Sequence, residues 1–243
     1  MRTLTVVLMA CAVLVLAPAA QAVLIAPSGL NPGDIYHWAF VTSTTRDATS
    51  TDIADYNTFV QNAANAGSLT AGSGLTWKAV ASTDTVDARD NAPVTGAVYL
   101  LDGRKVASGY TQFWGTSYES NTPALLVGIV VTENGVSVEE PLDEALPVWT
   151  GSYPDGTKGD GHDMLNDDES GWPLGHSVTD EDPMFGDARG WEHRYNGHFM
   201  FEWKESRTDS YPLYALSGPI PEPATLALLG LGGIAMLIRR KKR

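Results

Sequence analysis

The chain has 243 residues, with 29 acidic against 16 basic side chains, a formal net charge of −13 and a single cysteine, Cys11. Setting aside Arg2 near the start, and Glu222 with five cations at the end, residues 23–219 carry 28 acids and 10 bases, a net charge of −18. Such a surface repels phosphate and excludes a nucleic-acid partner, and a body without cysteine excludes disulfides, thiolate metal sites and a cysteine nucleophile.

The chain opens on Met1-Arg2, a minimal positive start, followed by an apolar run from Leu4 to Leu16. Ala20-Gln21-Ala22 supplies the small residues a signal peptidase requires, so residues 1–22 read as a signal peptide and the mature chain as beginning at Val23. Leu8-Met9-Ala10-Cys11 loosely imitates a lipoprotein signal, but the apolar run continues past Cys11. Residues 23–219 then form one exported ectodomain, large enough to bury a core without covalent staples. Abundant Gly, Ser, Thr, Asn and Asp, with seven Trp and nine Tyr, indicate short strands joined by long polar connections rather than a helical bundle.

Tyr36 to Thr42 is aromatic and β-branched and reads as a strand. In the segment from Ser50 to Ala66, Ile53, Tyr56, Val60 and Ala63-Ala64 recur at helical spacing. Ser50 or Thr51 is placed to cap its start and Gly67 to end it, which predicts the one substantial helix of the ectodomain. Strands are predicted at Trp77–Ser82 and Val98–Leu101, with a turn or single helical turn over Asp84–Asp90 between them. Leu125–Val131 reads as a buried strand, Glu133-Asn-Gly135 as a tight turn, and Val148–Thr150 as a strand before turn-forming Tyr153-Pro-Asp-Gly156. A long acidic, Gly-rich loop follows from Asp155 to Gly190, and last strands fall at His198–Trp203 and Tyr211–Ser217. The fold class is α+β, with one main helix and several short antiparallel strands.

The end of the chain has three parts in order. Pro221-Glu222-Pro223 is followed by an uncharged apolar run, Ala224 to Ile238, and by Arg239, Arg240, Lys241, Lys242 and Arg243. The prolines stop a helix from propagating backwards. Fifteen residues at ~1.5 Å rise make a transmembrane helix of about 22 Å, short against a hydrocarbon core of about 30 Å. The terminal cations keep their end cytoplasmic and leave the ectodomain outside. This arrangement, residues 220–243, resembles the PEP-CTERM sorting signal of bacterial exported proteins. The resemblance implies an exosortase that cuts near the triplet after the helix has held the protein at the inner membrane. It also implies delivery to the cell surface or extracellular matrix, often in a polysaccharide or biofilm setting.

Four shorter segments resemble a bacterial extracellular domain family with a C-type-lectin-like, endostatin-like fold. They are Phe40–Thr44, Trp77–Thr83, Val148–Ser152 with Asp155-Gly156, and Leu213–Ser217. The resemblance implies a single such ectodomain with tryptophans in its core. The chain departs from it in lacking stapling cysteines and the Glu-Pro-Asn and Trp-Asn-Asp signatures of calcium-dependent sugar binding.

Several constellations bear on chemistry. Asp160, Asp163, Asp167, Asp168 and Glu169, on a glycine-punctuated loop, offer the oxygen ligands Ca²⁺ takes, although their spacing also suits a plain solvated acidic loop. His193 and His198 lack the helical pairing of a zinc hydrolase. Gly109–Gly115 and Gly190–Tyr195 set aromatic rings beside polar groups, a composition shared by saccharide surfaces and by core anchors. No nucleophile elbow, Ser-x-x-Lys pair or phosphate loop is present. The sequence thus predicts a non-enzymatic structural or binding protein of the envelope or matrix, and leaves open whether it takes carbohydrate or is assisted by Ca²⁺. The rival class is a secreted hydrolase of extracellular polysaccharide. Signal peptidase and exosortase are the expected processing partners.

Overall fold

The computed structural model of the protein describes residues 24–115, 125–139, 146–161, 171–176, 182–188, 200 and 203–222. Its centre is strand β1 (Ile35–Val41), in which every residue after Ile35 is buried. Tyr36, Trp38 and Phe40 alternate with His37, Ala39 and Val41, so both faces of this strand are covered.

Helix α1 (Ile53–Ala66) buries Tyr56, Val60, Ala63 and Ala64, the stripe read from the sequence. Its N-cap is Asp52, whose carboxylate accepts from the Ala54 N–H at 2.9 Å, rather than Ser50 or Thr51. Ser50 is diverted: its hydroxyl donates to Asp55 at 2.6 Å and accepts from the Asp52 N–H. Gly67 closes the helix, donating to the Ala63 carbonyl at 2.9 Å.

Strand β2 (Trp77–Ala79) is shorter than predicted and lies under α1. Its outer edge is closed by side chains of the helix instead of another strand. Gln61 accepts from the Trp77 N–H at 2.8 Å and Asn57 from the Ala79 N–H at 2.9 Å. Asn91, on the single turn α2 (Ala88–Asn91), exchanges amide hydrogen bonds with Asn57 and donates to the Ala79 carbonyl at 2.7 Å. An edge that could recruit a foreign strand is thereby satisfied from within.

The remaining elements are β3 (Ala97–Leu100), β4 (Lys105–Ala107), α3 (Tyr110–Trp114), β5 (Pro147–Trp149), β6 (Met184–Asp187), β7 (Trp203–Lys204), β8 (Tyr214–Ser217) and β9 (Ile220–Pro221). The main sheet runs β2-β8-β1-β3-β4, with β9 also paired to β1, and β5-β6-β7 form a second, smaller sheet. Pairing is antiparallel except between β1 and β3, which run parallel. The α+β class is therefore as predicted, while the purely antiparallel expectation is corrected by that central pair.

Other expectations are also corrected. Leu125–Val131 is buried in part but forms no strand. Its backbone bonds go to different partners, Leu126 N–H to Val106, Val131 carbonyl to Val41 N–H and Val130 carbonyl to Val138 N–H, so only isolated bridges form. The turn at Glu133–Gly135 is present, closed by the Gly135 N–H on Thr132 at 2.8 Å. β4, α3 and β9 were not predicted, and β6 lies inside the stretch read as one long loop. The strand predicted at 198–203 survives as Trp203 in β7, with 198–199 and 201–202 outside the described residues. Among the described residues no helix is long and apolar enough to cross a membrane. The signal segment 1–22 and the apolar run 224–238 lie outside them.

Trp38, Trp77, Trp114 and Trp149 are fully buried. Tyr36, Trp38 and Tyr99 meet edge to face, with ring centroids 5.7–6.4 Å apart, between β1 and β3.

Candidate functional site

The most sharply built functional feature is the place where the ectodomain runs into the terminal tail. β8 and β9 both pair antiparallel with β1, but their registers differ by one residue: Ala39 faces Leu216, whereas Tyr36 faces Ile220. The slip falls between the Trp38–Ser217 and Tyr36–Ile220 levels, where His37 stands against both Gly218 and Pro219, and the side chains of His37 and Ser217 bridge it. Ser217 Oγ accepts from the Trp38 N–H at 2.9 Å. His37 Nδ1 bonds the Ser217 carbonyl at 2.8 Å, and its Nε2 accepts from the Thr95 N–H at 3.0 Å.

These partners fix the tautomer. A carbonyl only accepts, so Nδ1 carries the proton, and Nε2 must be bare to receive the Thr95 N–H. The ring is fully buried. Burial pushes the imidazole below its usual range, and the Ser217 carbonyl offsets this only partly. Between the lowered folded value and about 6.5 the unfolded chain binds the extra proton, so stability falls as pH drops through that window and is complete above it. Urea midpoints measured at pH 7.5 and pH 5 should therefore fall further for the natural chain than for His37→Gln. Equal pH responses would show that His37 is not the titrating group.

Beyond the slip, Ile35 faces Pro221, and the Glu222 N–H donates to the Asp34 carbonyl at 2.8 Å. In an antiparallel pair the hydrogen-bonding positions alternate, so Pro221 occupies one where no N–H is required. The first two residues of the sorting triplet, Pro221 and Glu222, are thus attached to the sheet; Pro223 lies outside the described residues. Glu222 lies near Tyr36: burial first, and then the Glu222 carboxylate, hold that phenol above its ordinary range. One shielded oxygen of Glu222 has no hydrogen-bond partner among the described residues, a desolvation that opposes the attachment.

The first described residues of the chain arrive at the same place. Leu24 and Ile220 line one cavity of about 220 Å³ with Tyr36, Trp38 and Leu75. Leu24 and Trp38 also border a larger groove of about 610 Å³ that reaches Leu69 and Arg104. Ala20 and Ala22, the expected signal-cleavage residues, lie outside the described residues, as do Arg239, Arg240, Lys241, Lys242 and Arg243.

The acidic loop is described only in part. Asp160 is exposed and accepts from the Tyr153 hydroxyl at 2.8 Å. Asp163, Asp167, Asp168 and Glu169 lie outside the described residues. Among the described residues no group of three or more His, Cys, Asp or Glu is placed to hold a metal ion. Near Asp160, Gly156 ends the turn from Tyr153 with φ of 78°, where a side chain would strike the Trp114 ring. Trp172, part-exposed, stacks on His176 at 4.2 Å, and His176 bonds Asp84 at 2.6 Å. Of the Gly109–Gly115 aromatics, whose composition suits either a saccharide surface or core anchors, Phe113 and Trp114 are core and Tyr110 is half exposed. Residues 190–195 lie outside the described residues.

The site therefore defines a folded domain joined directly, through its last strand, to a short terminal address. Residues 219–242 match the PEP-CTERM protein-sorting motif, which marks an exported protein directed to an exosortase for surface sorting. No curated protein matches the chain. The His37–Ser217–Thr95 brace and β9 escaped sequence reading because their partners lie far apart in the chain and Pro221 signals a break.

Proposed function

We propose that the protein is delivered to the cell surface or extracellular matrix as one folded unit and works there by binding, as a structural or adhesive component rather than an enzyme. The observation that carries this reading is the continuity of sheet and sorting triplet: β9 belongs to both, so whatever is sorted is the whole domain. In this reading the apolar run 224–238 holds the precursor in the inner membrane until the exosortase cuts. The ectodomain is of the C-type-lectin-like class, supported by the residues quoted above and by its buried tryptophans. Its ligand is matrix carbohydrate, for which the part-exposed Trp172 ring stacked on His176 is a fitting face, and Ca²⁺ occupies the acidic segment around Asp160.

The test is the intact mass of the protein recovered from the envelope and the medium. A chain beginning at Val23 and ending near the triplet is the expected result; a mass that retains the basic tail in every fraction refutes sorting by cleavage. Melting the same material with millimolar Ca²⁺ checks the cation, which must raise the midpoint by mass action. Turnover of a polysaccharide panel would replace the binding reading by the hydrolase.

A further inference from the structure

The triplet that a processing peptidase must read is, in this fold, partly used as a structural strand. A peptidase takes its substrate as an extended segment whose backbone groups are free to pair with the enzyme's own. Here Ile220 and Pro221 are paired with Tyr36 and Ile35, and the Glu222 N–H is spent on Asp34. The pairing is not incidental to the domain. It continues β8 across a register slip that His37, Ser217 and Thr95 are placed to hold, and Ile220 packs against the core.

We propose that β9 is a latch: the exosortase acts on this chain only after Ile220–Glu222 has peeled from β1, so that local opening of this edge sets the rate of processing. The segment has the properties of an edge that opens without global unfolding. It is two residues long, Pro221 is exposed, and among the described residues β9 pairs with β1 alone. Released, it presents Pro221 and Glu222 in extended form, because proline and the restriction it imposes on Ile220 disfavour any helical alternative. The domain is meanwhile left with β8 in place. The proposal rests on the sorting reading above.

The experiment compares oxidised and reduced forms of one chain. Tyr36 and Ile220 are directly opposed, so the double variant Y36C/I220C places a disulfide across the latch without altering the triplet. The exported precursor is incubated with membranes carrying an exosortase, and loss of the tail is followed by mass. The oxidised form should be cut at least about tenfold more slowly than the same chain after reduction, as expected where local opening gates cleavage. Equal rates overturn the latch. Should the double variant not fold, Ser217→Ala serves in its place; it deprives the Trp38 N–H of its partner and should speed cutting, and an unchanged rate counts against the latch. If even the natural chain is not cut, the sorting reading fails. The latch is then judged by amide exchange of the natural chain: a Glu222 amide protected by about tenfold or more supports it, and one exchanging as in a free peptide refutes it.

Discussion

Trp149→Ala should cost about 3–5 kcal/mol of stability, the range for deleting a fully buried large aromatic. Trp149 is completely buried at the point where the two sheets meet. It belongs to β5, yet its N–H donates to the Pro212 carbonyl at 3.0 Å and it bridges to Leu213, just ahead of β8. Its ring lies 4.9 Å from Tyr211, and its indole N–H donates to Arg46 at 3.1 Å. Alanine would leave a void between elements that cannot collapse on one another without breaking the Leu213 bridge. Trp149→Phe should cost less, about 1–2 kcal/mol, because most of the ring volume stays and the Arg46 carbonyl still receives the Tyr211 N–H at 3.0 Å. Urea denaturation with a common slope measures both. A Trp149→Ala loss below about 1 kcal/mol would mean that the joint between the sheets relaxes freely.

What was legible in the sequence was whatever is decided locally. α1 announced itself because Tyr56, Val60, Ala63 and Ala64 all face the core and repeat at the helical period. β1 was legible because a central strand needs apolar residues on both faces. The sorting signal was legible because its three parts are contiguous and each acts through its own residue type. The rest depended on partners distant in sequence. Phe113 and Trp114 between two glycines look alike as a sugar platform or as core, and burial alone decides for core. Leu125–Val131 has the composition of a strand, but composition does not say whether a continuous partner exists, and here the partners are split between single residues of β1 and β4 and the short return at Ser137–Val138. The cap of α1 moved from Ser50 or Thr51 to Asp52 because Ser50 met Asp55, a contact two oxygen-bearing residues can make as easily as a cap. β9 is hidden because Pro221 signals a break in the chain, although an antiparallel pair tolerates proline at every second position.

Gly96→Ala should be among the most damaging single-methyl additions in the protein, at about 3 kcal/mol or more. The reason is space. A Cβ there would lie 1.9 Å from the Ile35 carbonyl oxygen and 2.5 Å from its carbon. Both are backbone atoms of the central strand, so no side-chain rotation relieves the clash, and β3 must draw away from β1. The pairing of Tyr36 with Ala97 is lost first, and with it the support for Ile35 and Tyr36, the two residues that hold β9. Gly103→Ala is the control: its φ of 91° strains any side chain, but nothing lies within 4 Å of the added carbon, so about 1–2 kcal/mol is expected. Denaturation midpoints rank the two. The damage should also be uneven, with the Glu222 amide of the Gly96→Ala chain exchanging faster while the amides of α1, remote from the clash, keep their relative protection. Equal costs for the two substitutions would show that the approach of Gly96 to Ile35 is looser than the structure has it.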